Sequence, residues 1–339
     1  MAEPARSPSA QHLTTGAILL CLTTALIWGG QSVATKVAVN HLSPLLTATL
    51  RFLIAMPVLL VAAWWRSEIA LKSFREFLAL AGNAVFFVVQ IFLFNLGTQH
   101  TTSVRSIILI NTFPFFAAIA CHVFLVNQKI RRHHPVGMGL AFLGLLVIRS
   151  QELRGEQLTA MSGDFIILLA AVSMGCKIAY MKNLLGKFSP LKVVFWANII
   201  GLMILMPACW IANRHQAWEW STFPVWALLY QGLLVSVVAV FLWNYLLAHY
   251  SPNDLTVFRM LAPAVGVVAG TMLLKEPLRW PLVAGGSLVL LGLWWIVRKP
   301  AVTRSNNKTE GLTDSISPTI EKEQQGRANH ESEQTRNQN

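Results

Sequence analysis

Apolar runs follow one another along this chain with hardly a polar interruption, near residues 16–37, 44–64, 76–97, 102–126, 135–149, 163–184, 191–212, 223–248, 254–274 and 281–297. A helix of ~20 apolar residues crosses the ~30 Å hydrocarbon core of a bilayer, and most of these runs reach that length. The fifth is shorter and must stand upright or thin the bilayer locally. The runs are continuous rather than alternating, which argues against the strands of a membrane barrel. In lipid a helix is the remaining form that satisfies its own backbone polar groups. The expectation is an all-α integral membrane protein of ten transmembrane helices. Composition agrees, because only 12% of residues are charged, against about a quarter in soluble domains.

Polar sequence is confined to the ends. Residues 1–15 form a polar N-terminal segment, and from 299 to 339 the chain turns to Ser, Asn, Gln, Glu and Lys. That tail buries too little apolar surface to fold and reads as a disordered cytoplasmic extension. The four cysteines, Cys21, Cys121, Cys176 and Cys209, all lie inside apolar runs with no CxxC spacing and no histidine at ligand distance. They read as small packing residues, so neither a metal site nor a cofactor is expected.

The chain also repeats itself. Leu42-Ser43-Pro44-Leu45 returns as Phe188-Ser189-Pro190-Leu191, 146 residues on. Phe92-Leu93-Phe94-Asn95 returns as Phe241-Leu242-Trp243-Asn244, with His100 matched by His249 and Pro114 by Pro263, each 149 residues on. Pro135 and Pro281 open the fifth and tenth runs, as proline does at a first helical turn. Two halves of five helices follow, 16–150 and 163–298. An odd number of spans forces the second half to enter from the opposite side, which gives two inverted repeats around a central cavity. No cleaved signal peptide has such a counterpart later in the chain, so the first run is retained.

The net charge of +12 follows from basic residues that flank the apolar runs, the pattern that sets orientation in a bilayer, and calls for no nucleic-acid partner. The loops on the N-terminal side carry Arg6, Arg66, Lys72, Arg75, Lys129, Arg131, Arg132, Lys182, Lys187, Arg298 and Lys299, and the opposite side fewer. Both termini are expected to be cytoplasmic.

Ala25-Leu26-Ile27-Trp28-Gly29-Gly30, Leu50-Arg51-Phe52, Leu261-Ala262-Pro263 and Lys275-Glu276-Pro277-Leu278 together resemble the EamA-type exporters of the drug/metabolite transporter superfamily, over about residues 14 to 298. The resemblance implies export or exchange of metabolites such as amino acids, in a cell-surface or bacterial inner membrane. It implies a cavity lined by the first, third, fourth, sixth, eighth and ninth helices, with the fifth and tenth peripheral. Two positions depart from the family pattern: Asn127 replaces a frequent acidic residue and Lys275 a usual glycine.

Ionisable residues inside spans are expensive and face a cavity or a partner. Lys177 lies fourteen residues past Gly163, about 21 Å along its helix and too deep for easy snorkelling. The repeat pairs it with Gln31, one turn beyond Trp28, and both are candidates for contact with a solute. Asn95 and Asn244 form a second matched pair, for which helix-to-helix tethering is the plainer role. Arg259 shares a helix face with Pro263, whose missing N–H opens the backbone, and it either lines a cavity or snorkels to anchor the cytoplasmic end of its helix; Asn111 is a further candidate. Arg51 and Arg105 read as interfacial anchors, and Asp164 as a helix-capping group at its entrance. Most tryptophans fall at segment ends, where an aromatic belt belongs.

The excess of positive charge within the spans points to a solute that bears a carboxylate or phosphate, so the partners expected are a small metabolite and the lipid bilayer. Intramembrane hydrolases need a nucleophile and base or HExxH-type ligands. Neither pattern occurs, no catalytic residue is assigned, and an enzyme is the least favoured class. A receptor or structural membrane protein is the other alternative, but no soluble domain is present through which it could signal. Nothing in the sequence sets an oligomeric state.

Overall fold

The computed structural model describes residues 14–124, 134–149, 158–185, 187–212, 222–250, 255 and 258–297. The polar segment up to residue 13, the tail 299–339, the basic loop with Asn127, Lys129, Arg131 and Arg132, and Asp254 lie outside them. The helices are α1 (Thr15–His41), α2 (Pro44–Trp65), α3 (Phe74–His100), α4 (Ser103–Ile110), α5 (Phe113–Phe124), α6 (His134–Arg149) and α7 (Leu158–Leu185). After these come α8 (Pro190–Ala212), α9 (Thr222–Leu229), a π-helical segment (Tyr230–Val238), α10 (Ala239–His249), α11 (Leu261–Leu273) and α12 (Trp280–Val297). Among the described residues there is no strand.

Seven helical stretches are long and apolar enough to cross a membrane. Two of them join shorter pieces: Ser103–Phe124 unites α4 with α5, and Thr222–Trp243 runs through α9, the π segment and into α10. Three shorter apolar helices, Pro135–Ile148, Leu261–Leu273 and Trp280–Trp295, stand where the sequence places the fifth, ninth and tenth runs. Leu261–Leu273 has 13 residues, fewer than the run 254–274 suggests.

Local chemistry sets several boundaries. Ser43 Oγ accepts the Leu46 N–H at 3.1 Å ahead of Pro44, and Ser189 Oγ accepts the Lys192 N–H at 3.2 Å ahead of Pro190. The recurring Ser-Pro is thus a working helix start at both α2 and α8. Pro114 is the second residue of α5 and Pro263 the third of α11. A proline cannot donate to the carbonyl four residues back and collides with it, and both helices are interrupted just ahead of their proline, at Asn111–Thr112 and at Met260.

Side-chain ties fix which helix ends lie together. Lys36 Nζ, near the end of α1, donates to Thr98 O at 3.1 Å and Gln99 O at 3.0 Å at the end of α3. Glu276, just past α11, accepts the Ser103 and Val104 N–H groups at 2.7 and 2.9 Å and so caps α4. Asp164, in the early part of α7, accepts from Thr101 Oγ1 at 2.7 Å and pairs with Arg105. These contacts gather the ends of α1, α3 and α11 with the starts of α4 and α7 at one end of the bundle. At the other end Thr14 Oγ1 lies 3.1 Å from Tyr250 Oη beyond α10, and Lys192 of α8 pairs with Glu76 of α3 while donating to Ala70 O at 2.6 Å. Hence α1 and α7 run in opposite directions, as do α2 and α8, and α3 and α10.

Packing joins the two halves of the chain. The α1 helix lies on α9, the π segment, α10 and α11, while α7 lies on α3, α4 and α5. α2 packs on α8, α4 on α11 and α6 on α12. Lipid tails are as apolar as leucine, so such contacts depend on close approach and polar ties rather than on water exclusion. Glycines supply the close approach: a Cβ on Gly29 would fall 2.6 Å from Val265 Cβ of α11, and one on Gly175 would fall 2.6 Å from Ala117 N of α5. Leu26, Phe142, Met203 and Met272 stand 58%, 61%, 67% and 74% exposed, whereas Ser32, Thr35, Asn95 and Gln231 are fully buried. Polar groups inside and apolar groups outside are the arrangement that a bilayer demands.

Candidate functional site

Where the proline-interrupted helices face α1 and α3, they leave a pocket of about 590 Å3 of empty space, its mouth included. Trp28 and Gln31 of α1 and Gln90 and Phe94 of α3 form two of its walls. Ile107 and Ile110 of α4, the interruption at Asn111 and Phe113 of α5 form another, with Met174 of α7. Arg259 and Ala262, on either side of the start of α11, complete it. Ile110 and Arg259, both in the pocket wall, are the residues four before Pro114 and Pro263, whose rings carry no N–H to serve the carbonyl one turn back.

Among the described residues Arg259 is held by rings rather than by a carboxylate. Its guanidinium carbon lies 4.6 Å from the centre of the Trp28 ring, 5.3 Å from that of Phe113 and 5.4 Å from that of Trp243. Trp28 and Trp243 meet edge to face at 5.4 Å. Aromatic faces attract a cation through their quadrupole, a contact worth about 2 kcal/mol or more once water is removed, yet they leave the in-plane N–H donors uncommitted. A guanidinium so stacked is oriented to bind a planar anion edge-on. Asn111 Nδ2 is turned back on Ile107 O at 2.7 Å.

Lys177 lies beside the pocket rather than in its wall. Its ammonium donates to Gln90 Oε1 at 3.0 Å and stands 4.4 Å over the Phe87 ring, so it does not reach for the membrane surface. Arg51 and Arg259 are both close enough for their charges to repel it. Arg51 is a correction to the sequence reading: only 5% exposed, it donates through Nε to Ser236 Oγ of the π segment at 2.9 Å, and its Nη1 is buried without a partner. Ser236 Oγ in turn donates to Gln231 O five residues back at 2.9 Å, and Gln231 Oε1 accepts from Thr35 Oγ1 at 3.2 Å. The wider π turn thus brings a serine and a glutamine to face α2 and α1. Asp164 is corrected too: it lies within α7 rather than at its entrance, and there it pairs with Arg105 at the bundle end.

Of the residues singled out from sequence, the structure brings Trp28, Gln31, Asn111 and Arg259 into one pocket and sets Lys177 against it. Asn95 is not part of that wall; it is fully buried and donates to Pro44 O at 3.1 Å, which ties α3 to the start of α2. Asn244 belongs to α10, and its side chain lies outside the described residues. Gln90, Phe113 and Trp243 carry more of the site than their sequence contexts suggest. Pro114, one residue beyond Phe113, was the available signal for Phe113, and the match of Trp243 to Phe94 the signal for Trp243. Among the described residues no cluster of His, Cys, Asp or Glu is suited to a metal ion.

Apolar-surfaced helices around a largely apolar pocket with a few convergent polar groups, Gln31, Gln90, Asn111 and Arg259, are an arrangement that suits a membrane transporter. The sequence matches the EamA-like transporter family over residues 15–150 and again over 161–298, and the chain belongs to that family. It is 30% identical over 282 residues to an uncharacterized transporter of Archaeoglobus fulgidus, across 83% of this chain and 98% of that protein. It is 27% identical to a probable amino-acid metabolite efflux pump of Salmonella typhimurium, across 81% and 92% of the two chains. A probable terminal-alkyne amino-acid exporter of Streptantibioticus cattleyicolor is 28% identical over 240 residues, 69% of this chain and 77% of that one. One crystal structure shares the fold with a TM-score of 0.57 at 16% identity, covering 83% of this chain and 96% of its own. The protein is therefore an integral, multi-pass membrane transporter.

Proposed function

We propose that the protein is a secondary transporter that exports or exchanges a small metabolite, an amino acid or another anionic or zwitterionic solute, by alternating access. In this reading ten spans form two inverted five-helix repeats, 16–150 and 163–298, in a cell or inner membrane with both termini cytoplasmic. The opposed directions of α1 and α7, α2 and α8, and α3 and α10 support it, as does packing that runs mostly between halves. The names of the bacterial relatives favour export and an amino-acid-like solute. Lys177, Gln31, Trp28, Asn111 and Arg259 are the proposed solute contacts, with Asn95 and Asn244 in supporting positions.

The observation that carries the reading is Arg259, stacked among Trp28, Phe113 and Trp243 in the pocket wall with no carboxylate beside it among the described residues. A buried cation without a counter-ion is costly, and an anionic group on the solute relieves that cost each time the site is filled. Counterflow of labelled acids and amino acids into proteoliposomes is the direct test. Lys177→Ala and Arg259→Ala should each slow exchange of the transported solute by tenfold or more, which corresponds to about 1.4 kcal/mol. Unchanged kinetics for every solute in both variants would remove the pocket from the mechanism.

A further inference from the structure

Three cationic side chains gather near the middle of the bundle, and no carboxylate faces them among the described residues. Arg259 stands in the pocket wall on the α1 and α11 side, 4.6 Å over Trp28. Lys177 stands on the α3 and α7 side, its ammonium 3.0 Å from Gln90 Oε1, and Gln90 itself lines the pocket. Arg51, on α2, lies within electrostatic reach of Lys177, as Arg259 does, and its Nη1 has no partner. Three described carboxylates at the bundle ends are engaged elsewhere, Asp164 by Arg105 and Thr101, Glu76 by Lys192, and Glu276 by the start of α4, and the fourth, Glu68, lies in the turn after α2.

A guanidinium keeps its proton inside a protein, so two of the three charges are fixed whatever the state of Lys177. Mutually repelling cations in a low-dielectric interior are stabilised by an entering counter-charge, and the gain grows with the net charge delivered. A zwitterionic amino acid delivers none, because its ammonium cancels its carboxylate and finds no acidic group in the wall among the described residues. Trp28 and Phe113 could face that ammonium, but Arg259 already occupies the aromatic surfaces.

We infer that the pocket selects a solute with two acidic groups and a net negative charge, a small dicarboxylate being the simplest, with one acid toward Arg259 and the other toward the Lys177 and Gln90 wall. This rests on the transport reading above and narrows its solute class.

The test uses the full-length protein in nanodiscs at neutral pH and constant ionic strength. The probes are charge-graded sets on a common skeleton: succinate with its monoamide and diamide, and glutamate with glutamine. Apparent Kd should rise about tenfold with each acid replaced by an amide, and protection against thermal unfolding should fall in the same order. Lys177→Met should level succinate with its monoamide, whereas Lys177→Arg should keep the preference. Equal or reversed ordering within both sets overturns the inference, and the wild-type series alone suffices if Lys177→Met does not fold. Labelled counterflow separates this failure from that of the transport reading. Exchange of glutamine or the diamide in preference to the acids discards the two-acid solute and leaves a transporter. Flat binding together with no exchange of any of the five probes discards both.

Discussion

Arg259 shows how much one side chain depends on its shape as well as its charge. Lysine at this position would keep the charge but lose the flat face that lies on Trp28 and the fork that offers two parallel donors. Arg259→Lys should therefore weaken solute binding by roughly tenfold, measured as Kd in lipid, with the melting temperature of the ligand-free protein little changed. Lys275 is a second residue whose backbone decides the outcome. It closes α11 with φ of 55°, a left-handed conformation that costs an ordinary L-residue about 1–2 kcal/mol. Glycine adopts it freely. Lys275→Gly should stabilise the protein by about 0.5–1 kcal/mol, read as a higher thermal midpoint. The strained turn lets Glu276 swing back onto the Ser103 and Val104 N–H groups. Residues of this kind were only partly legible. The sequence marked Trp28, Gln31, Asn111 and Arg259 because polar or interrupted positions within a span are costly. It misplaced Arg51, since depth along a helix does not reveal which way the side chain faces.

At the scale of the element, close approach is bought by glycine. Gly29 and Gly175 are 146 residues apart, the spacing of the Ser-Pro repeat, and each packs a helix of one half against a proline-led helix of the other. A Cβ at Gly29 meets Val265 Cβ at 2.6 Å and Ala262 O at 2.8 Å, and one at Gly175 meets Ala117 N at 2.6 Å and Phe116 C at 2.8 Å. Backbone atoms cannot step aside as a flexible side chain can. Gly29→Ala and Gly175→Ala should each cost about 1–3 kcal/mol, seen as lower thermal midpoints of similar size in the two variants. A drop at only one position would show that the two packings are not equivalent. The interruptions ahead of Pro114 and Pro263 were readable from proline alone. The π segment was not, because nothing in Tyr230-Gln231-Gly232-Leu233-Leu234 distinguishes an i to i−5 turn from an ordinary one until Arg51 and Thr35 are placed opposite it.

For the whole molecule, the ties at the two ends define which way each helix runs. Lys36, Glu276 and the Arg105 and Asp164 pair close one end, and Ser67, in the exposed turn between α2 and α3, lies at the other. On the proposed orientation, in a background without native cysteines, Ser67→Cys should react with an impermeant thiol reagent only from the cytoplasmic face. Lys275→Cys should react only from the opposite face; labelling of both from the same face would overturn the inverted arrangement. Alternating access also requires the tied end to open, so Asp164→Asn, which removes the charge that holds Arg105, should raise the reactivity of Gln31→Cys from that face.

Composition and run length dictated the solvent. Continuous apolar runs cannot be hidden in water, and their helices must satisfy their own backbone in lipid, so an all-helical membrane protein followed from composition and run length. The Ser-Pro starts, the proline interruptions and the paired motifs were written there as well, because they act within a few residues of themselves. Which polar groups meet emerged from the packed bundle alone. The stacking of Arg259 on Trp28 and Phe113, the burial of Arg51 against Ser236, and the pairing of Arg105 with Asp164 all join residues dozens to hundreds of positions apart. Such meetings depend on helix rotation and crossing, which close packing of small residues sets and no local pattern encodes.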